Sequence, residues 1–91
     1  MEKIHKDILV KGKVQGVSFR ASARHTANDL GITGEVRNLP DGSVFISAEG
    51  EEQQMESFIA WCRQGPALAK VTELVITVAP VQHYKSFEIV R

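Results

Sequence analysis

The sequence is poor in the residues from which most active sites are built. One cysteine, Cys62, stands among 91 residues. It excludes an internal disulfide framework and fits a reducing compartment. His5, His25 and His83 are scattered without the spacing of a metal site, so no metal is expected and all three are read as surface residues. Neither sign of charge is in excess, with 11 Lys plus Arg against 11 Asp plus Glu. There is then no global field to draw in nucleic acid or an anionic membrane, and any anion site has to be local. No apolar run approaches the roughly 18 residues of a membrane-spanning helix, and the opening "MEKIHKD" is too charged for a signal peptide. The expectation is a cytoplasmic chain of ordinary globular composition, 43% hydrophobic and 24% charged. Residues 1–91 make one small domain with a single core, too short for a second lobe, and any site must lie near the surface.

Within these limits the hydrophobic pattern is clear. "DILVKGKV", residues 7–14, puts Ile8, Val10 and Val14 on one side of an extended segment, with Leu9 and Lys11 on the other, and reads as a strand. After Phe19, Ala23, Ala27 and Leu30 recur at helical spacing until Gly31 stops the helix, with Ser18 placed to cap its start. Residues 33–50 form a hairpin whose turn is "PDGS", where Pro40 fixes φ and Gly42 accepts a positive one. Met55, Phe58, Ile59 and Cys62 make the apolar stripe of a second helix that ends at Gly65 and Pro66. "KVTELVITVAP" is a strand with Leu74, Ile76 and Val78 on one face, and "SFEIV" is a short final strand. The order β, α, β, β, α, β plus a brief extra strand is that of a ferredoxin-like α+β two-layer sandwich, an antiparallel sheet with two helices on one face. That fold hosts unrelated activities, so function has to come from the site.

The candidate site is "KGKVQGVSFRASA", residues 11–23. Its loop, 13–19, feeds straight into the first helix, so backbone N–H groups and the helix N-terminus can converge on an anion. Gly16 supplies the positive φ that such a concave nest requires. Arg20 can add two parallel charge-assisted hydrogen bonds to a phosphate, a fit that lysine cannot reproduce. Lys11 and Lys13 are placed to add positive potential. The helix carries the chain roughly 16 Å away at about 1.5 Å per residue. A returning strand that climbs about 3.3 Å per residue brings Asn38 back beside Arg20. Neither residue is a general acid or base. The implied ligand is a small phosphoryl group.

The two segments "VKGKVQGVSFR" and "GEVRNLPDGSV" resemble the acylphosphatase family, whose signature is a glycine-flanked V-Q-G-V-x-F-R loop followed by a G-x-V-x-N-x-x-D-G-x-V hairpin. The resemblance runs nearly the whole chain. It implies hydrolysis of the carboxyl-phosphate bond of small acyl phosphates without a metal or other cofactor. By the same resemblance Gln15, Gly16, Val17, Ser18, Phe19 and Arg20 would bind the substrate, Arg20 would hold its phosphate and Asn38 would orient the attacking water. The chemistry agrees with the residues. The leaving carboxylate belongs to an acid of pKa about 4 and needs little help from a general acid. A site without a catalytic histidine is then sufficient, because phosphoryl transfer can rest on positioning and charge stabilisation.

Other readings of the same residues are plainer. Asp41 next to Asn38 is turn chemistry rather than a base. Cys62 is a small buried hydrophobe, and Trp61 covers the core edge beside Phe58. A non-catalytic anion-binding module, like the acylphosphatase-like domain at the start of carbamoyl-handling hydrogenase maturation factors, would share the loop, but those proteins carry further domains. An RNA-binding sheet would need an aromatic platform, and only Phe45 could serve. The expected partner is a small-molecule acyl phosphate, with no nucleic acid, no membrane and a monomeric chain.

Overall fold

A computed structural model describes residues 2–91. Seven elements follow in order: β1 (Ile4–Lys13), α1 (Phe19–Leu30), β2 (Thr33–Asn38), β3 (Val44–Gly50), α2 (Glu52–Gln64), β4 (Lys70–Ala79) and β5 (Phe87–Ile89). They make one five-stranded sheet in the order β4-β1-β3-β2-β5. The pairs β1/β3, β1/β4 and β2/β3 are antiparallel as expected. The short last strand differs, because it lies parallel to β2 at the opposite edge from β4. The chain has to cross the whole sheet between them, and the sheet is therefore mixed.

Alternation decides the two faces. Ile8 and Val10 of β1, Val36 of β2 and Ile46 and Ala48 of β3 are fully buried together with Ala23 and Ala27 of α1 and Met55, Phe58 and Cys62 of α2. This is the helix-covered core. Helix α1 ends as the sequence predicts, with Gly31 in the left-handed region and Ile32 N–H bonded to the Ala27 carbonyl. Helix α2 opens with a capping box in which Glu51 and Gln54 each bond the other's backbone N–H.

Three expectations are corrected by the structure. In β4, Leu74 and Ile76 are half-buried, but Val78, near the end of this edge strand, is 74% exposed. The first strand begins at Ile4, three residues earlier than hydrophobicity suggests. The reason is polar. His5, read from the sequence as a surface residue, is buried on the face away from the helices, where Nδ1 meets Glu49 Oε2 and Nε2 meets Asp7 Oδ1, each at 2.7 Å. The segment between β4 and β5 closes over this cluster. Glu49, itself fully buried, accepts the backbone N–H groups of Gln82 and Tyr84, and the Tyr84 ring stacks 6.2 Å from His5. His25 and His83 are exposed as expected.

Candidate active site

The chain leaves β1 after Lys13 and enters α1 at Phe19, and the five intervening residues are held at both ends by the core. Val14 and Val17 are buried, and Phe19 packs at 5.3 Å between ring centres on Trp61. Trp61 thus covers the core edge, as read from the sequence. Between these anchors Gly16 and Ser18 both take positive φ, 74° and 63°. A Cβ at Gly16 would meet nothing within 4 Å, so the backbone conformation alone calls for glycine there. Ser18 pays for the same turn with a left-handed conformation that costs a non-glycine residue on the order of 1 kcal/mol. It stands at the N-cap position, but its side chain makes no capping bond, which corrects the expected cap. Left-handed backbone swings its side chain away from the N–H groups that a β-region cap would reach.

The consequence is a free helix start. The first helical bond runs from Ser22 N–H to the Ser18 carbonyl at 3.0 Å, so the N–H groups of Phe19, Arg20 and Ala21 have no acceptor within α1. No acidic residue occupies the first turn to offset the partial positive charge. Residues of positive φ and open N–H groups at a helix start make an anion-binding concavity.

A cavity of about 250 Å³ lies at this point, lined by the loop (Val14, Gln15, Gly16, Ser18), the start of α1 (Phe19, Arg20, Ala21), Asn38 and the chain's end (Ile89, Arg91). The out-and-back path predicted from helix and strand rises does bring Arg20 and Asn38 to one cavity. Among the described residues no hydrogen bond or ion pair engages either side chain. Of the expected substrate-binding residues, Val17 alone is missing from the lining, its side chain being only 8% exposed. Lys11 and Lys13 do not line it either, and Lys11 lies 3.9 Å from Glu73.

Gln15 lines the cavity, yet its carboxamide is directed elsewhere. Its Nε2 donates to the carbonyls of Leu39, at 2.8 Å, and Ser43, at 2.9 Å. Asp41 acts as a turn residue, as expected, because its Oδ1 accepts the N–H of Ser43 at 2.9 Å and the Ser43 hydroxyl at 2.5 Å. Those bonds hold the Asp41 carboxyl below the usual aspartate range. An Asp41 so engaged is a poor base.

Val14 and Ala21, next to the expected residues, also line the cavity, and Ile89 and Arg91 are distant lining residues that sequence reasoning missed. Their place depends on the parallel β2/β5 pairing, which no local pattern signals. A larger depression of about 630 Å³ is lined by Glu2, Glu51, Glu52 and Glu56 with Ile4 and Gln53, and four carboxylates repel a phosphoryl group. Among the described residues, no three His, Cys, Asp or Glu side chains are grouped so as to hold a metal ion.

Comparison with known proteins places these features in a wider set. The acylphosphatase family model matches residues 6–89. A protein named acylphosphatase from Methylococcus capsulatus is 48% identical over 92 aligned positions, covering 100% of this chain and 98% of its own. The crystal structure of acylphosphatase from Bacillus subtilis superposes with a TM-score of 0.94 at 35% identity, over 97% of this chain and 99% of that one. HypF from T. kodakarensis contains a similar unit, with a TM-score of 0.86 and 30% identity over 97% of this chain, but that match takes in only 12% of the larger protein.

Proposed function

This chain belongs to the acylphosphatase family, hydrolases of acyl phosphates, and from that premise we propose how its own residues carry the reaction. The loop N–H groups and the Arg20 guanidinium hold the phosphoryl oxygens, while the Asn38 carboxamide aligns a water for attack on phosphorus in line with the leaving carboxylate. The observation that carries this reading is that Arg20 and Asn38 line one small cavity with the open start of α1.

Charge develops on the phosphoryl oxygens and the departing carboxylate. Arg20 and the helix-start amides border the cavity in which the former would sit, and a preorganised donor of this kind is worth roughly 3 kcal/mol of barrier. The carboxylate is a good leaving group and departs without a protonated partner. The proton of the attacking water goes to a phosphate oxygen of the substrate, since among the described residues no histidine, aspartate or glutamate side chain lines the cavity. Charge stabilisation by the guanidinium and the amides makes the reaction independent of added metal. The small cavity would grip the phosphoryl end, which suits small acyl phosphates of varied acyl group.

The test is an assay on an aromatic acyl phosphate after chelator treatment, with phosphate binding measured in parallel. Arg20→Ala is expected to lose both binding and turnover. Asn38→Ala is expected to keep phosphate affinity and lose most turnover. Full hydrolysis by purified Asn38→Ala overturns the assignment of the water to Asn38, and phosphate binding without any turnover by the native chain favours a non-catalytic anion module.

A further inference from the structure

We infer that Gln15 is a positioning residue for hydrolysis, its carboxamide clamping the β2–β3 turn to the phosphate loop so that Asn38 is held in register with Arg20. This rests on the reading of Asn38 given above. The argument begins where the sheet stops. Strand β1 pairs with β3 only as far as Val10 with Val44, whereas its pairing with β4 runs on to Lys13 with Lys70. Past Val10 the side of β1 that faces the hairpin offers no backbone ladder. The β2/β3 pairing also ends here, at Asn38 with Val44, so Asn38 is the last paired residue before the turn.

The turn closes on itself through Leu39 N–H to the Ser43 carbonyl at 2.9 Å and Gly42 N–H to the Leu39 carbonyl at 3.1 Å. Nothing in those bonds ties it to the loop. Gln15 does. A primary amide has two donor hydrogens, and here one nitrogen serves two carbonyls, those of Leu39 and Ser43, which flank the turn on either side. Leu39 is bonded directly to Asn38 in the chain. The clamp therefore fixes the peptide next to the water-aligning side chain, and it does so from within the loop that holds the anion. With its carboxamide nitrogen committed, Gln15 is left to serve phosphate through its backbone.

Misplacement of a reacting group by about 1 Å can cost on the order of a hundredfold in rate. Gln15→Leu removes the two donors at similar volume and is expected to lower kcat at least tenfold while the inhibition constant of inorganic phosphate stays within twofold. Gln15→Glu sets a carboxylate against two carbonyls. It is expected to lose kcat at pH 8 and to recover part of it toward pH 5, where the protonated carboxyl donates again. In the Asn38→Ala background, Gln15→Leu should have no further effect on kcat, since both changes act on one aligned water.

A raised phosphate inhibition constant in Gln15→Leu would show that the carboxamide binds substrate. Unchanged kcat, or full additivity with Asn38→Ala, overturns the clamp. These outcomes are separable from failure of the functional reading. If Asn38→Ala keeps turnover, the water assignment falls; if Asn38→Ala is inactive and Gln15→Leu is fully active, only the clamp falls.

Discussion

His5 and Glu49, 44 residues apart in the chain, lie 2.7 Å apart across the β1/β3 pair with neither side chain exposed to solvent. The second ring nitrogen of His5 meets Asp7 at 2.7 Å, so both nitrogens face carboxylates and the charged form of the ring is favoured. Burial disfavours that charge, but the bonds to Glu49 and Asp7 outweigh it and raise the His5 pKa. For Glu49 burial again opposes the charged form, and the N–H groups of Gln82 and Tyr84 with His5 outweigh it and lower its pKa. The other groups facing the ring are the Tyr84 phenol and, through Asp7 at 3.1 Å, the Ser47 hydroxyl.

The pH dependence of stability follows from these directions. His5, with a raised folded pKa, contributes fully below its unfolded value of about 6.5, and that contribution is lost as pH climbs through the folded value. Glu49, with a lowered folded pKa, contributes above about 4.3 and loses its contribution as pH falls through the folded value. Urea midpoints are expected to be highest near pH 5 to 6 and to decline toward pH 9. In His5→Gln the decline between pH 6 and 8 should shrink, the part near pH 9 that comes from the buried Cys62 thiol remaining, and stability at pH 6 should drop by about 3–5 kcal/mol because Glu49 is left buried without its cation. A wild-type midpoint that is flat from pH 6 to 9 would remove His5 from this role.

Arg20→Lys separates charge from shape. Lysine keeps the cation at the cavity but presents a point charge instead of a planar fork, so one of two parallel bonds to phosphate is lost. A charge-assisted bond is worth about 1.5–3 kcal/mol. The inhibition constant of inorganic phosphate is expected to rise roughly tenfold to a hundredfold, with the fold unchanged by circular dichroism. An unaltered constant would mean that Arg20 acts only through its charge.

The sequence made the loop side of the candidate site legible and left the polar face dark, for physical reasons. Gly16, Arg20 and Asn38 belong to contiguous motifs, and the rises of one helix and one strand suffice to bring the last two together. The apolar stripe of α2 was readable because Met55, Phe58, Ile59 and Cys62 follow a single period. His5, Asp7 and Glu49 follow none. The burial of His5 and Glu49 requires the 80–86 segment to cross the sheet, which in turn depends on β5 pairing with β2 rather than beside β4. Ile89 and Arg91 reach the cavity by the same pairing. Ser18 failed as a cap because its backbone is left-handed, which residue type and helix spacing do not signal.

Cys62 gives a chemical probe of the core. Burial pushes its thiol far above the usual cysteine range, and its side chain has no solvent exposure. An aromatic disulfide reagent at pH 8 should find essentially no reactive thiol in the native chain and one per molecule in 6 M urea. Fast labelling of the native state would show that α2 opens locally.

Gly34 links the fold to the site most directly. It sits in β2 with φ 142°, and a Cβ there would lie 1.8 Å from the Ser47 carbonyl oxygen and 3.2 Å from the Ala48 Cα. No side-chain rotation relieves a clash with backbone, so β2 and β3 must part. Those two strands hold Asn38 opposite Val44, four residues further along the same strand. Gly34 N–H also donates to the Ser86 carbonyl at 2.9 Å, so the β5 edge that carries Ile89 and Arg91 would shift with it. Gly34→Ala is expected to cost on the order of 4 kcal/mol or more, near the upper end for single substitutions. Any folded fraction should bind phosphate through the undisturbed loop while turning over slowly, because the loop's hold on the anion does not depend on β2 and the place of Asn38 does. Thermal unfolding with and without phosphate, followed by kcat on the folded fraction, checks both halves. Wild-type stability in Gly34→Ala would show that the two strands can separate at no cost to the core.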